Sequence, residues 1–394
     1  LFKPRDYQRR VVDACEKNRH VVGLVGRQAG KMLEINTLVP TPKGYSTMGD
    51  LKVGDYVIGS DGKPTLVTYV SPIKISPNAY KVTFSTGESI TACGDHLWTV
   101  NYRAGRGVVK KGTFNTKTLV EMGVTVSTKK SGSSEKRFSI DCVKGVESPC
   151  DINLPIDPYL LGYWLGDGIC RSGLLTVGLH NDEDLKNLTS ILGAKGINFS
   201  VNYRKDGRAC DVRILGLTKK LKEVGVLENK HIPTEYLRSS FKQKEELLQG
   251  IFDSDGHICK KGKFEITLKS KELIDDIHEL MSSMGTRVSL PSEKTIKAFK
   301  KDGETYYRLN GSVYLQDYHL CKLPRKFSRL REKPHTSRKN STYKRQIFSI
   351  EPVESVPMRC ISVDSEDKLY AVTRSFILSH NTTTLGMDVL HDVI

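Results

Sequence analysis

The sequence predicts a multidomain α+β chain, in which an all-β domain is split by an inserted α/β domain of two pseudo-symmetric halves. Three observations predict it. Short strand patterns with tight-turn signals open at residue 32 and resume near 347. Between them one supersecondary unit recurs: Leu160-Leu161-Gly162-Tyr163-Trp164-Leu165-Gly166-Asp167-Gly168 is matched by Leu248-Gln249-Gly250-Ile251-Phe252-Asp253-Ser254-Asp255-Gly256. The two ends of the chain read as halves of one phosphate-binding loop.

Composition bounds the rest. The 394 residues suffice for two or three domains, each with a core. An apolar fraction of 38% with 27% charged residues fits a globular chain rather than a disordered one. No apolar run approaches the ~18 residues of a membrane span and no signal-peptide pattern opens the chain, so a cytoplasmic setting without a membrane partner is expected. The nine cysteines form no CxxC pair, which indicates neither a zinc ribbon nor a disulfide framework and fits reduced thiols. The net charge of +16 favours a polyanionic partner. It concentrates in two stretches, 103–137 and 287–345, the second interleaved with Tyr306, Tyr307 and Phe327. A solvated surface is the alternative, so charge alone does not decide.

The first residues read as a helix after Arg5-Asp6-Tyr7-Gln8, then a short apolar strand from His20 to Val25. Gly26-Arg27-Gln28-Ala29-Gly30-Lys31 follows. Such a loop turns backbone N–H groups toward phosphate oxygens, and its lysine adds a charge. A Ser or Thr must come next to hold Mg²⁺, yet position 32 is Met. Thr382-Thr383-Thr384, near the other end, supplies the missing hydroxyls. Joined, the ends resemble the variant Walker A region of phage terminase large subunits. The resemblance implies that Gly30 and Lys31 bind ATP phosphates only after residues 32–381 have been removed. The flanks alone are too short to fold as an ATPase.

Residues 32–100 alternate apolar and polar positions between turns such as Ser60-Asp61-Gly62-Lys63, an all-β pattern. The wording of Met32 to Pro42 and of Gly49 to Val57 resembles the first splicing blocks of inteins. That family has the horseshoe-shaped Hint fold, and the likeness resumes at 347–381. It implies five segments: an N-terminal flank (1–31), a first Hint part (32–145), an inserted domain (146–345), a second Hint part (346–381) and a C-terminal flank (382–394).

Splicing chemistry explains the residue types at the junctions. Gly87 to His96 resembles the intein block built on Thr-x-x-His, with Cys93 where Thr is usual and Asp95 beside the histidine. His96 is read as catalytic, the alternative being a structural histidine. At the tail, Ser379-His380-Asn381 precedes Thr382. The Asn381 amide can attack its own carbonyl, His380 can polarise that carbonyl, and the Thr382 hydroxyl can accept an acyl group. Met32 cannot act as the first nucleophile, because a thioether cannot displace an amide. Trp98, Cys360 and Thr382 match the Trp–Cys–Thr signature of class 3 inteins. The implied route begins with Cys360 attacking the Lys31 carbonyl while His96 protonates the departing Met32 amine and helps to strain or polarise the amide. The acyl group then passes to Thr382, Asn381 cyclises, and a Lys31–Thr382 peptide forms. Trp98 would exclude water beside the nucleophile, or else be a plain core aromatic.

The repeated motif resembles LAGLIDADG homing endonucleases. Gly162 and Gly250 would let two helices pack closely, and Asp167 and Asp255 at the helix ends would share a metal centre with Mg²⁺. Lys230, in Asn229-Lys230-His231-Ile232-Pro233, matches the family's Lys-x-Ile-Pro block, as a catalytic aid or as an exposed phosphate contact. Flanking basic sheets would bind double-stranded DNA, the uninterrupted terminase allele, in the cytoplasm of a phage-infected or prophage-bearing bacterium. The expected molecule is a monomer whose other substrate is its own flanking segments. Two alternatives stay open: an insert that splices but keeps only DNA binding, and a terminase fragment with a dead insert.

Overall fold

The computed structural model describes residues 31–104, 108–127, 134–146, 151–179, 182–259, 262–296, 303–314, 317–331 and 343–381. The α+β class expected from the sequence is the class observed. Two apolar cores divide the chain. One gathers Leu33, Val39, Val57, Val82, Trp98 and Phe138 from the first part with Ile347, Ile361, Tyr370 and Ile377 from the last. The other is drawn from Ile156 through Leu330. The first core is thus built from both sides of the insertion, and neither part has a complete core of its own.

The all-β part centres on a sheet that is nine-stranded among the described residues. Its order is Val109–Asn115, Leu97–Arg103, Phe138–Asp141, Lys344–Val353, Ala79–Phe84, Ser89–Cys93, Leu33–Glu34, Pro357–Arg359 and Lys74–Ile75. All of its ladders are antiparallel, and two of its strands come from beyond the insertion. A hairpin of Leu369–Val372 with Ile377–His380 closes the end of the insert. One element departs from the all-β expectation. Thr116–Met122 is a helix, started by the Asn115 side chain accepting from the Thr118 N–H. Such a cap satisfies one of the orphan donors of the first turn.

The inserted part repeats a helix, an antiparallel sheet and a second helix. The first half holds the helix Pro158–Asp167, a three-stranded sheet and the helix Asp182–Ala194. The second holds the helix Phe241–Ser254, a four-stranded sheet and the helix Lys271–Ser283. Sequence dictates the starts of both central helices. Asp157 caps the first with Pro158 at its opening position, and Ser240 with Gln243 forms a capping box on the second. Strands Ala209–Ile214 and Lys263–Leu268 alternate buried and outward positions, so Arg213 and Lys263 stand on outward faces. Arg238 ties the two parts together. It donates to the carbonyls of Thr41 at 3.3 Å and Gly44 at 3.2 Å while pairing with buried Glu279 at 2.9 Å. No helix among the described residues is long and apolar enough to cross a membrane.

The central helices cross at glycine. A methyl group added to Gly162 would lie 2.1 Å from the Leu247 carbonyl oxygen, and one added to Gly250 would lie 2.1 Å from that of Tyr159. Backbone cannot yield there as a side-chain tip could, so the helices would have to separate. Gly162→Ala is expected to lower unfolding stability by roughly 1–3 kcal/mol, the usual range for overpacking, read from urea titration; an unchanged midpoint would contradict this packing.

Candidate functional sites

The strand Leu33–Glu34 fixes the upstream junction. Leu33 pairs with Arg359 on one side and Ala92 on the other. One further step of the first antiparallel register sets Met32 opposite Cys360. Both residues pack in an apolar cluster with Ala79, Cys93 and Met358. The Cys360 N–H donates to Ser71 Oγ at 3.0 Å and its carbonyl accepts from the Ser71 N–H at 2.9 Å, which locks the backbone carrying the thiol.

His96 is fully buried, with Nδ1 3.1 Å from the Lys31 carbonyl oxygen and Nε2 3.1 Å from Ser379 Oγ. A carbonyl oxygen only accepts, so Nδ1 carries the proton and Nε2 receives the serine hydroxyl. Burial drives the ring's pKa down to about 3, the hydrogen bond to the Lys31 carbonyl opposing it and the nearby His380 adding to it. Trp98 packs edge-on against His96, with centroids 4.8 Å apart, and its indole N–H donates to Thr116 Oγ1 at 3.0 Å. The Thr116 hydroxyl lies 3.0 Å from the carbonyl oxygen of Cys93. The imidazole is therefore wedged in one tautomer, aimed at the carbonyl of the upstream junction.

The ring N–H meets the Lys31 carbonyl oxygen, the atom a polarising His96 would address, and not the departing nitrogen of Met32. The nitrogen has another neighbour: the Met32 N–H donates to Cys93 Sγ at 3.0 Å. The turn after Ser89–Cys93 sets residues 93 and 96 at the two ends of the same peptide unit. Asp95, between them, turns outward, its carboxylate 4.0 Å from Lys117 Nζ.

The downstream junction meets the same pocket. His380 Nδ1 donates to the Asn381 carbonyl oxygen, and burial lowers the ring's pKa. Asn381 is held by its N–H on the Lys368 carbonyl at 2.7 Å and by Nδ2 on the Val363 carbonyl at 3.0 Å. Its buried Oδ1 makes no hydrogen bond among the described residues, a costly state for a buried amide. Gly30 and Thr382, with the flanks before Lys31 and after Asn381, lie outside the described residues.

The second site sits where the central helices end. A methyl group on Gly166 would come 3.2 Å from Asp255 Cβ, so the ends carrying Asp167 and Asp255 are adjacent. Burial and then the Asp255 charge push Asp167 up to about 6, and burial raises Asp255 as well. Lys230 is no exposed phosphate contact. Its ammonium donates to the carbonyls of Leu165, Gly166 and Gly168 at 3.0, 3.0 and 2.8 Å, closing the first helix, and burial lowers its pKa to about 8. Lys326 does the same for the second helix, donating to Phe252 and Asp253 carbonyls at 2.7 and 2.8 Å. Buried Asp276 and Asp253 hold the loops that deliver the two lysines, through the N–H groups of Ile232 and of Lys322 and Leu323.

Lys326 was not found from sequence. The repeat aligns Pro324 with Pro233, which puts Cys321 in register with Lys230; the second lysine comes from beyond the proline. Two carboxylates beside helix-end carbonyls form a hard-oxygen donor set suited to a divalent cation such as Mg²⁺. No group of three or more His, Cys, Asp or Glu converges among the described residues. Water and substrate phosphate would have to complete the coordination.

Comparisons with known proteins fit this division. A family model described as a LAGLIDADG-like domain matches residues 242–319. The chain is 31% identical over 374 residues to a replicative DNA helicase DnaB of Mycobacterium intracellulare, across 92% of this chain and 60% of that protein. It therefore spans about 60% of that relative's length. A replicative DNA helicase DnaB of Mycobacterium leprae is 37% identical over 73 residues, 18% of this chain and 12% of that protein. Among solved structures, the MchDnaB-1 intein aligns at 14% identity and a TM-score of 0.26, over 89% of this chain and 99% of that one. The I-DmoI protein in complex with DNA and Mn aligns at 15% identity and a TM-score of 0.28, over 41% of this chain and 91% of that one.

The His96 environment has a pH signature. Its folded pKa, about 3, lies below the ordinary 6.5. The unfolded chain therefore binds the extra proton, and the ring's contribution to stability is complete above 6.5 and lost as pH falls toward 3. Ring ¹⁵N shifts should report a neutral Nδ1–H tautomer down to about pH 5, and a ring that titrates near 6.5 would contradict the buried placement.

Proposed function

We propose that residues 32–381 form an intein with a Hint-type splicing domain, which excises itself and joins Lys31 to Thr382. One observation carries the reading: the carbonyls of Lys31 and Asn381 each face a buried imidazole, and Ser379, next to His380, meets the other ring nitrogen of His96. A chance pair of core histidines has no reason to select the two peptide bonds that bound the insert.

Cys360 attacks the Lys31 carbonyl carbon, and the negative charge that develops on the oxygen is met by the His96 Nδ1–H. The absence of a nucleophile at Met32 makes this direct attack the first step, as in class 3 inteins. The acyl group moves from Cys360 to the Thr382 hydroxyl. Asn381 Nδ2 then attacks its own carbonyl, polarised by His380, and releases the insert as a succinimide. The ester at Thr382 rearranges to the amide. Held geometry is the main contribution, since well-oriented intramolecular attack replaces ~7–11 kcal/mol of barrier.

The inserted domain is read as a homing endonuclease that cuts double-stranded DNA lacking the insert. Asp167 and Asp255 would hold Mg²⁺, which supplies Lewis-acid and water-activating chemistry. The chain's own part is to bring two carboxylates together at a glycine-packed crossing and to fix both helix ends with Lys230 and Lys326. Outward basic side chains such as Arg213 and Lys263 suit phosphate contacts. The flanks read as halves of a phosphate-loop ATPase. The sequence resemblance is to a terminase and the named relatives are helicases, so ATP and a DNA motor belong to the joined host protein in either case.

Mass spectrometry of the purified chain should find the free insert and a joined flank peptide, and Cys360→Ala should abolish both. Normal splicing by Cys360→Ala would overturn the mechanism. In a separate assay, supercoiled DNA carrying the uninterrupted host gene should be linearised with Mg²⁺ by the native chain and not by Asp167→Asn; equal cutting by that variant would remove Asp167 from the nuclease site.

A further inference from the structure

The first step needs a proton at the leaving nitrogen, and the imidazole that sequence suggested for it is occupied elsewhere. His96 keeps its one N–H on the carbonyl oxygen. An amine does not leave as an anion, so some other acid must reach Met32 N as the carbon–nitrogen bond breaks. The contact at that nitrogen is a thiol, with the Met32 N–H 3.0 Å from Cys93 Sγ. Cys93 also holds Met32 from the other end, its own N–H donating to the Met32 carbonyl at 2.9 Å.

We propose, on the splicing reading above, that Cys93 is the catalytic acid that protonates the Met32 amine during thioester formation. The hydrogen bond separates this role from that of the nucleophile. An N–H donor aims at an acceptor in the plane of its peptide, beyond the nitrogen. Cys93 Sγ therefore lies off the nitrogen end and not over the face of the carbonyl carbon, where an attacking atom must approach. Continuing the pairing of Leu33 with Arg359 by one residue sets Met32 opposite Cys360, and both lie in one apolar cluster.

The step balances. A Cys360 Sγ–carbon bond forms and the carbon–Met32 nitrogen bond breaks, its electron pair going to nitrogen. As Cys360 adds, the nitrogen becomes tetrahedral and inverts, so that its lone pair replaces the N–H toward Cys93. The Cys93 S–H proton then moves to that lone pair and leaves a neutral primary amine. The proton given up by the Cys360 thiol restores the Cys93 thiol. Both cysteines sit in the same apolar cluster, which shortens this exchange. Burial raises the Cys93 pKa, so the thiol holds its proton at neutral pH.

The test separates the two ends of the insert. In an Asn381→Ala background, thioester formation is followed as dithiothreitol-released N-terminal fragment across pH, by mass spectrometry. Adding Cys93→Ala should slow this release about 10²–10³-fold, while Cys93→Ser should recover part of the rate and lose the alkaline fall-off due to thiol ionisation. In a Cys360→Ala background, the same Cys93 substitutions should leave Asn381 cleavage within a few-fold of its starting rate. Native release rates with Cys93→Ala overturn the proposal. So do parallel losses at both junctions, which would make Cys93 a packing residue. If Asn381→Ala alone yields no thioester, the splicing reading falls first, a result distinct from either.

Discussion

Two residues of strand, Leu33 and Glu34, hold the structure's functional logic together. They are clamped between Ser89–Cys93 and Pro357–Arg359, segments drawn from opposite sides of the insertion. Ladder hydrogen bonds set the register, and a slip of one residue would turn every side chain to the other face. In the observed register the upstream peptide bond lies one step beyond Leu33, against the turn bearing Cys93 and His96. Remove that pairing and the imidazole, the two sulfurs and the bond they surround have no common frame.

The same constraint links the two junctions. Ser379 meets the His96 ring that serves the upstream carbonyl, and it precedes the His380 and Asn381 that serve the downstream one. A single hydroxyl therefore selects the His96 tautomer from the strand that carries His380. The inserted domain solves its own problem in a similar way. Two carboxylates are brought together by glycine contact between helices, where burial and then the Asp255 charge make the ionised form of Asp167 costly.

Much of this was legible in the sequence, and the remainder failed for identifiable reasons. Asp167 and Asp255 stood out because a repeat marks equivalent positions, and the helices Pro158–Asp167 and Phe241–Ser254 carry their own start signals. Cys360 was proposed from the class 3 signature, and His380 and Asn381 from the chemistry a downstream junction requires. Lys326 escaped because the second half places its lysine beyond the proline, so the repeat in the text misdirects to Cys321. Cys93, Ser379 and Thr116 escaped because their roles arise from contacts across the sheet, which no spacing along the chain encodes. The helix Thr116–Met122 is too short to show a period among strands. The phosphate-loop reading of Gly30 and Thr382 falls on segments outside the described residues.

A crystal structure of the Cys360→Ala precursor, trapped before its first step, tests the central claim most directly. The account predicts the Lys31 carbonyl oxygen within hydrogen-bond distance of His96 Nδ1, with the Met32 peptide lying between residue 360 and Cys93. A scissile peptide turned out to solvent, its carbonyl away from His96 and residue 360 on the far side of the sheet, would contradict it.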